Sequence, residues 1–383
     1  MTTPTLDHPA NRAVQSLLDR LVAEGREIGV QVAAYLGDDL VVDCWSGHRD
    51  QNGTAVTADT LFNVFSVSKA LTATAVHIQA ENGHLDYDAP VARYWPEFAA
   101  AGKEKLTVAQ VLTHCSGLMQ MPADVTVAQM CDWDWMTGWL AAQPPLFAPG
   151  TQSGYQSMSF GWILGELVRR TDVSRRPFGS FVREEILLPL GAPDFWLGIP
   201  ASQAHRVATL DGSAVQAAPD GTLYRVTCPM QVDLMPDPFS RAGVQQACIP
   251  AVGGISNARS QARLFAMLAN GGRFQGTRLL SADRVAGFST KRHDFGPDPV
   301  FFGMDVPIGL GGYWLGGDNP PISALRNPRA ICHPGMGGSL GWADPDRRLA
   351  VAFCHNRMFD AYTPDQDSRT LVGDAIRAAL GLS

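Results

Sequence analysis

The chain has 383 residues, 45% of them hydrophobic and 17% charged, a globular balance that excludes wholesale disorder. Its 30 Lys and Arg against 37 Asp and Glu leave a net charge of −7, which excludes nucleic-acid binding because phosphate affinity comes from clustered cations. The one local basic cluster, Arg169, Arg170, Arg175 and Arg176, is interrupted by Asp172 and reads as a solvated helix end.

From the start of the chain, Thr2–Arg12 holds no basic segment leading into an apolar run, so no secretory signal is expected. No stretch of ~18 apolar residues follows anywhere, and no membrane association is expected. Residues Asn11 to Gly25 carry a helical stripe of Val14, Leu17, Leu18, Leu21 and Val22 that stops at glycine. Two apolar runs, Ile28–Leu36 and Leu40–Trp45, flank Gly37-Asp38-Asp39 and predict a β-hairpin. At the far end Leu340–Ala343 and Leu349–His355 flank Asp344-Pro345-Asp346 as a second hairpin, and Ser368–Leu380 is an amphipathic helix. Helix and hairpin at one end, hairpin and helix at the other, predict one antiparallel sheet built from both termini with helices packed on it. The middle, from about Leu61 to Cys248, is mostly helical or irregular, and Ala201–Pro250 reads as long loops over one face. The expected division is therefore a discontinuous α/β sheet domain of residues 1–60 and 250–383, an inserted helical domain of 61–249, and a site at their junction.

The 7 cysteines (Cys44, Cys115, Cys131, Cys228, Cys248, Cys332 and Cys354) are odd in number and include no C-x-x-C, as for buried reduced thiols in a cytoplasmic protein. His8, His48, His77, His84, His205, His293 and His355 lack ligand spacing, so neither a metal nor another cofactor is expected.

The chemistry concentrates in the segment that begins Ser66-Val-Ser-Lys69 and ends at Gly83, read as a helix from about Ser66 to Asn82. Three residues along a helix put Ser66 and Lys69 on one face, ~5–6 Å apart at Cβ. A neutral lysine amine there can take the serine proton, and burial together with the positive helix N-terminus lowers the lysine pKa. The same helix start offers unpaired N–H groups to a developing oxyanion. The plain alternative is an N-cap with a surface lysine. Against it, the following Ala-Leu-Thr-Ala-Thr-Ala-Val is small or apolar throughout, and a buried lysine is costly without a task.

Three more segments stand out. Leu106–Leu118 contains Leu-Thr-His114-Cys115-Ser-Gly and forms a short helix closed by Gly117; His114 and Cys115 are not a dyad, because helical neighbours point ~100° apart. Pro149-Gly-Thr-Gln-Ser-Gly-Tyr155-Gln-Ser157 sets a tyrosine and a serine just before a helical run. His333-Pro-Gly335-Met336-Gly-Gly-Ser339-Leu-Gly341-Trp342 is a glycine-rich strand end. Its Gly337–Gly341 matches G-x-S-x-G, but that elbow needs a helix directly after it, and Pro345 forbids one, so Ser339 is read as a decoy. Trp133, Trp135 and Trp139 read as core or lid packing, with the aromatic wall of an acyl pocket as the alternative; Trp314 and Phe301-Phe302 are further candidates for that wall.

With S-x-x-K, L-T-H-x-S-G-L, a Y-x-S loop and a glycine-rich strand in this order, the chain resembles the serine β-lactamase and penicillin-binding-protein superfamily, and most of all the class C β-lactamase-like family VIII carboxylesterases. The resemblance spans nearly the whole chain and implies the β-lactamase/transpeptidase-like α/β fold, an antiparallel sheet flanked by helices. It implies that Ser66 is acylated, that Lys69 and Tyr155 share its proton with Tyr155 as phenolate or relay, and that the Ser66 and Met336 amides form the oxyanion hole. It also sets His333 where β-lactamases carry a carboxylate-binding lysine, and Gly335 and Ser157 beside the substrate. His333-Pro-Gly335 in place of Lys-Thr-Gly removes a fixed cation and a hydroxyl. Ser157 replaces an amide side chain. Ester hydrolysis through an acyl-enzyme is thereby favoured on a small ester or acyl substrate. Acyl transfer and amide hydrolysis are the alternatives, with little or no β-lactamase activity, and a non-catalytic binding protein is the remaining one.

Overall fold

The computed structural model describes residues 6–317, 325–359 and 367–382. Both chain ends enter one six-stranded antiparallel sheet, in the spatial order Asp39–Gly47, Gly29–Leu36, Leu349–His355, Leu340–Asp344, Ile331–Pro334, Trp314–Leu315. The central pairing sets Val30 opposite His355 and Leu36 opposite Leu349. Residues Gly29–Tyr35 are buried without alternation, the sign of a strand covered on both faces. The covering elements are the terminal helices Pro9–Ala23 and Ser368–Leu380, which pack on one another, and helix Ala258–Ala269. That last helix approaches Gly341 so closely that a β-carbon there would sit 2.0 Å from the Phe265 ring, which explains a glycine inside a strand.

A smaller sheet joins Phe62–Phe65, Gly254–Ser256 and Phe195–Leu197. It delivers the chain into helix Ser68–Glu81, buried from Ser68 to Gln79 and packed on helix Ser159–Thr171. Two differences from the sequence reading follow. The regular helix starts at Ser68 and leaves Ser66 in the turn before it, where Phe65 adopts φ +43°. A non-glycine in that region costs about 1 kcal/mol and is held only by its surroundings. Here the Ser68 hydroxyl donates to the Phe65 carbonyl and accepts from the Gly254 amide. Second, Ala201–Pro250 carries short helices between its loops, among them Leu223–Thr227, Pro236–Ser240 and Ala242–Gln246, and the strand Asp211–Ala214.

The basic cluster is also better paired than a solvated helix end. Arg169 and Arg170 both bond the buried Glu166, and Arg176 bonds Asp172, Glu184 and Glu185. Among the described residues no helix is long and apolar enough to cross a membrane.

Candidate active site

Ser66 lies on the wall of a cavity of about 280 Å³ that is bounded by segments distant in sequence. Ser66 comes from the turn before the buried helix, Tyr155 and Ser157 from the Pro149–Ser157 loop, Tyr224 and Leu234 from the short helices and loops. Phe301, Met304 and Trp314 complete one side, and Pro334 to Gly337, Phe359 and Arg369 the other.

Lys69 is fully buried, with Nζ 3.0 Å from Ser66 Oγ, 2.7 Å from the Ser157 carbonyl and 3.1 Å from the Ala251 carbonyl. Among the described residues no carboxylate pairs with it. Burial therefore pulls its pKa down to about 7, so that charged and neutral amine are both populated at neutral pH. Its Nζ also sits 5.1 Å from the centre of the Tyr155 ring.

Burial pushes the Tyr155 phenol well above its ordinary value, with the Ser66 hydroxyl opposing the shift. That direction favours the protonated phenol in the free protein. Its ring stacks on His114 at 4.5 Å and 19°. His114 in turn stacks on Phe160, and its Nδ1 accepts from the Gln156 amide. His114 has φ +59°, and burial drives its pKa well down, so a neutral ring supports the tyrosine. A buried polar group fixes the loop from the other side. Asp298 accepts from the Ser153 hydroxyl at 2.6 Å and from the Tyr155 amide at 3.4 Å, while Arg292 donates to Ser153 at 2.8 Å. His114 was visible in its motif without this supporting role. Asp298 and Arg292 carried no local signal, because they reach the loop from some 140 residues away.

Ser157 lines the cavity, but its hydroxyl is shared with Thr227 at 2.7 Å, so its bond to the serine–lysine pair is through its carbonyl, which accepts from Lys69. Gly335 also lines the cavity, and a β-carbon there would meet the Val64 carbonyl at 2.3 Å. Gly335→Ala is therefore expected to cost more than about 2 kcal/mol of stability, measured by denaturant unfolding, since backbone cannot swing aside as a flexible side chain does. The Met336 amide follows, at the head of the short turn Met336–Gly338. Among the described residues neither the Ser66 nor the Met336 amide has a protein acceptor, and both residues line the cavity.

His333, and the Trp133 and Trp135 offered as an alternative aromatic wall, lie elsewhere. His333 is wholly buried and is not among the lining residues; its Nδ1 bonds the Pro334 carbonyl and burial pushes its pKa well down. It offers no cation for a carboxylate. Trp133 donates to Glu166 and stacks on Phe178, and Trp135 sits beside it on helix Trp133–Ala142, so both serve packing rather than the cavity. The aromatic wall is made instead by Phe301 and Trp314, 5.8 Å apart, together with Tyr224 and Phe359. Phe302 turns outward against Tyr224. Ser339 is buried at the start of strand Leu340–Asp344 with no helix after it, as a decoy requires.

The Beta-lactamase family profile matches residues 14–374. The chain belongs to the Beta-lactamase family. Within it, the chain is 35% identical over 347 residues to "Esterase/beta-lactamase LipL" of Mycobacterium tuberculosis, covering 86% of this chain and 77% of that one. A solved family VIII carboxylesterase superposes with a TM-score of 0.88 at 32% identity, over 98% of this chain and 99% of the other. A penicillin-binding-protein homologue from Caulobacter crescentus superposes with a TM-score of 0.84 at 31% identity, over 98% and 99% of the two chains. The β-lactamase/transpeptidase-like fold expected from the motifs is the fold observed.

Proposed function

We propose that this chain, a carboxylesterase-type hydrolase, cleaves small carboxylic esters through an acyl-enzyme on Ser66. The observation that carries this reading is the buried Lys69 amine 3.0 Å from Ser66 Oγ with its pKa brought to about 7. A neutral Nζ takes the hydroxyl proton as Oγ attacks the ester carbonyl. The ammonium so formed is held by the Ser157 and Ala251 carbonyls. Negative charge grows on the carbonyl oxygen, and the Ser66 and Met336 amides are its donors. Tyr155, stacked above the amine, relays the proton to the departing alkoxide. The alcohol leaves, water attacks the acyl-enzyme by the same route, and the acid is released. An alcohol entering in place of water gives transesterification from the same intermediate.

The cavity size and lining support a small neutral substrate. Among the described residues Arg369 is its one charged lining residue, and Asp367 holds that guanidinium through two bonds of 2.9 and 2.8 Å. With His333 neutral, the carboxylate of a lactam antibiotic meets little compensating charge. On one preparation, p-nitrophenyl butyrate turnover is accordingly expected with nitrocefin turnover near background; the reverse ranking would refute the ester preference. We further propose the domain division at residues 60 and 250, a site at the junction, and a cytoplasmic location suited to 7 free cysteines. Neither nucleic acid nor membrane is proposed as a partner.

Trapping tests the nucleophile. A fluorophosphonate or short acyl ester should leave one adduct, and peptide mass spectrometry should place it on Ser66. An adduct on Ser339, or none at all, rejects the acyl-enzyme.

A further inference from the structure

We infer that the buried Glu27–His355 pair is a positioning device for the Met336 amide, an inference that rests on the oxyanion role proposed above. The pair lies behind the cavity wall, with side chains 0% and 2% exposed. Glu27 stands in the loop entering strand Gly29–Leu36, and His355 ends strand Leu349–His355. The imidazole packs on Phe353 and on Phe359, itself a lining residue. Nothing in the ester-cleaving scheme uses either ionisable group.

Hydrogen-bond chemistry sets the proton count. His355 Nδ1 is 2.9 Å from Glu27 Oε2, and Nε2 is 3.1 Å from the Gly337 carbonyl. A carbonyl only accepts, so Nε2 must carry a proton. Nδ1 then either carries a second proton towards a carboxylate or accepts from a protonated Glu27. In both arrangements the pair holds two protons and no net charge, the condition under which such groups stay buried.

The Gly337 carbonyl belongs to the turn that presents Met336. In that turn the Gly338 amide donates to the Gly335 carbonyl at 3.1 Å, and the Gly335 amide donates to the Ser339 carbonyl at 2.6 Å. Carbonyl and amide point to opposite sides of a trans peptide plane. His355 grips the 337–338 plane by its carbonyl, which holds the Gly338 amide on the Gly335 carbonyl. That bond grips the 335–336 plane, and the Met336 amide on its opposite edge is turned out of the bend. Two peptide planes thus link the imidazole to the oxyanion donor. Gly337, at φ +80°, has no room for a side chain, since a β-carbon would lie 2.7 Å from Met358 Cγ.

The test compares His355→Phe, which keeps the ring and loses the donor, with His355→Gln, whose amide N–H can reach the same carbonyl. Readouts are kcat and KM for p-nitrophenyl butyrate, melting temperature, and affinity for an alkyl boronic acid, whose Ser66 adduct puts an oxygen where the oxyanion forms. His355→Phe is expected to lower kcat by about 30- to 300-fold with KM within about twofold, as loss of a transition-state contact does. Boronate affinity should fall in parallel, and His355→Gln should recover about tenfold of both. Should His355→Phe not fold, nitrogen-15 NMR of the histidine-labelled wild type decides, because Nε2 must be protonated. Wild-type kcat in His355→Phe, a loss confined to KM or melting temperature, or an unprotonated Nε2 overturns the inference. Absence of a boronate adduct on wild-type Ser66 would instead defeat the acyl-enzyme reading beneath it.

Discussion

Ser66→Ala is expected to lower kcat/KM for p-nitrophenyl acetate and butyrate by at least on the order of 10⁴-fold, because a triad-like unit loses nearly all its covalent route with its nucleophile. Folding should be unaffected, since Ser66 Oγ bonds only groups of the site itself. The paired control is Ser339→Ala, whose serine is buried in the turn before strand Leu340–Asp344 and should keep most of the activity. Stopped-flow release of p-nitrophenol reads both variants. Full turnover by the first, or collapse of the second alone, would move the chemistry to the other serine.

Lys69→Met is expected to reduce kcat by on the order of 10³-fold or more and to abolish the rising acid limb of the wild-type pH profile. That limb has a definite position. The amine is pulled from its ordinary 10.5 to about 7, so kcat/KM in the free enzyme should climb through about pH 7 as Nζ loses its proton. Stability carries the same sign. Between about pH 7 and 10.5 the unfolded chain binds a proton on Lys69 that the native state has released, so wild-type stability rises with pH over that window. Relative to Lys69→Met, the gain from pH 6 to pH 10 should approach about 4 kcal/mol, read from urea unfolding at each pH. A wild type and variant with parallel pH dependences would show that the amine is charged in the fold.

Much of this was legible beforehand, for identifiable reasons. The terminal hairpins announce themselves through two apolar runs around Gly37-Asp38-Asp39 and Asp344-Pro345-Asp346, and those strands are the ones that pair across the sheet. Ser66 and Lys69 were readable because one turn of chain sets their separation and the small residues after Lys69 declare burial. His333 was misplaced because its neighbours in sequence do not show that Tyr155 and Trp314 enclose it. Trp133 packs as its default reading had it, drawn to Glu166 on another helix, while the cavity wall is assembled from residues as far apart as Tyr224 and Phe359, which no local pattern joins. Asp298 could not be found at all, since its partners Ser153 and Tyr155 are fixed only by tertiary packing.

The pairing of Val30 with His355 has a bearing on biosynthesis. The first hairpin leaves the ribosome long before Leu349–His355, the strand that lies beside it in the sheet. Until then one long edge of Gly29–Leu36 stays open, and contacts of such sequence separation form slowly. A nascent chain stalled before residue 336 would also lack the second amide donor proposed above, so ester turnover should begin only once that segment has emerged and paired.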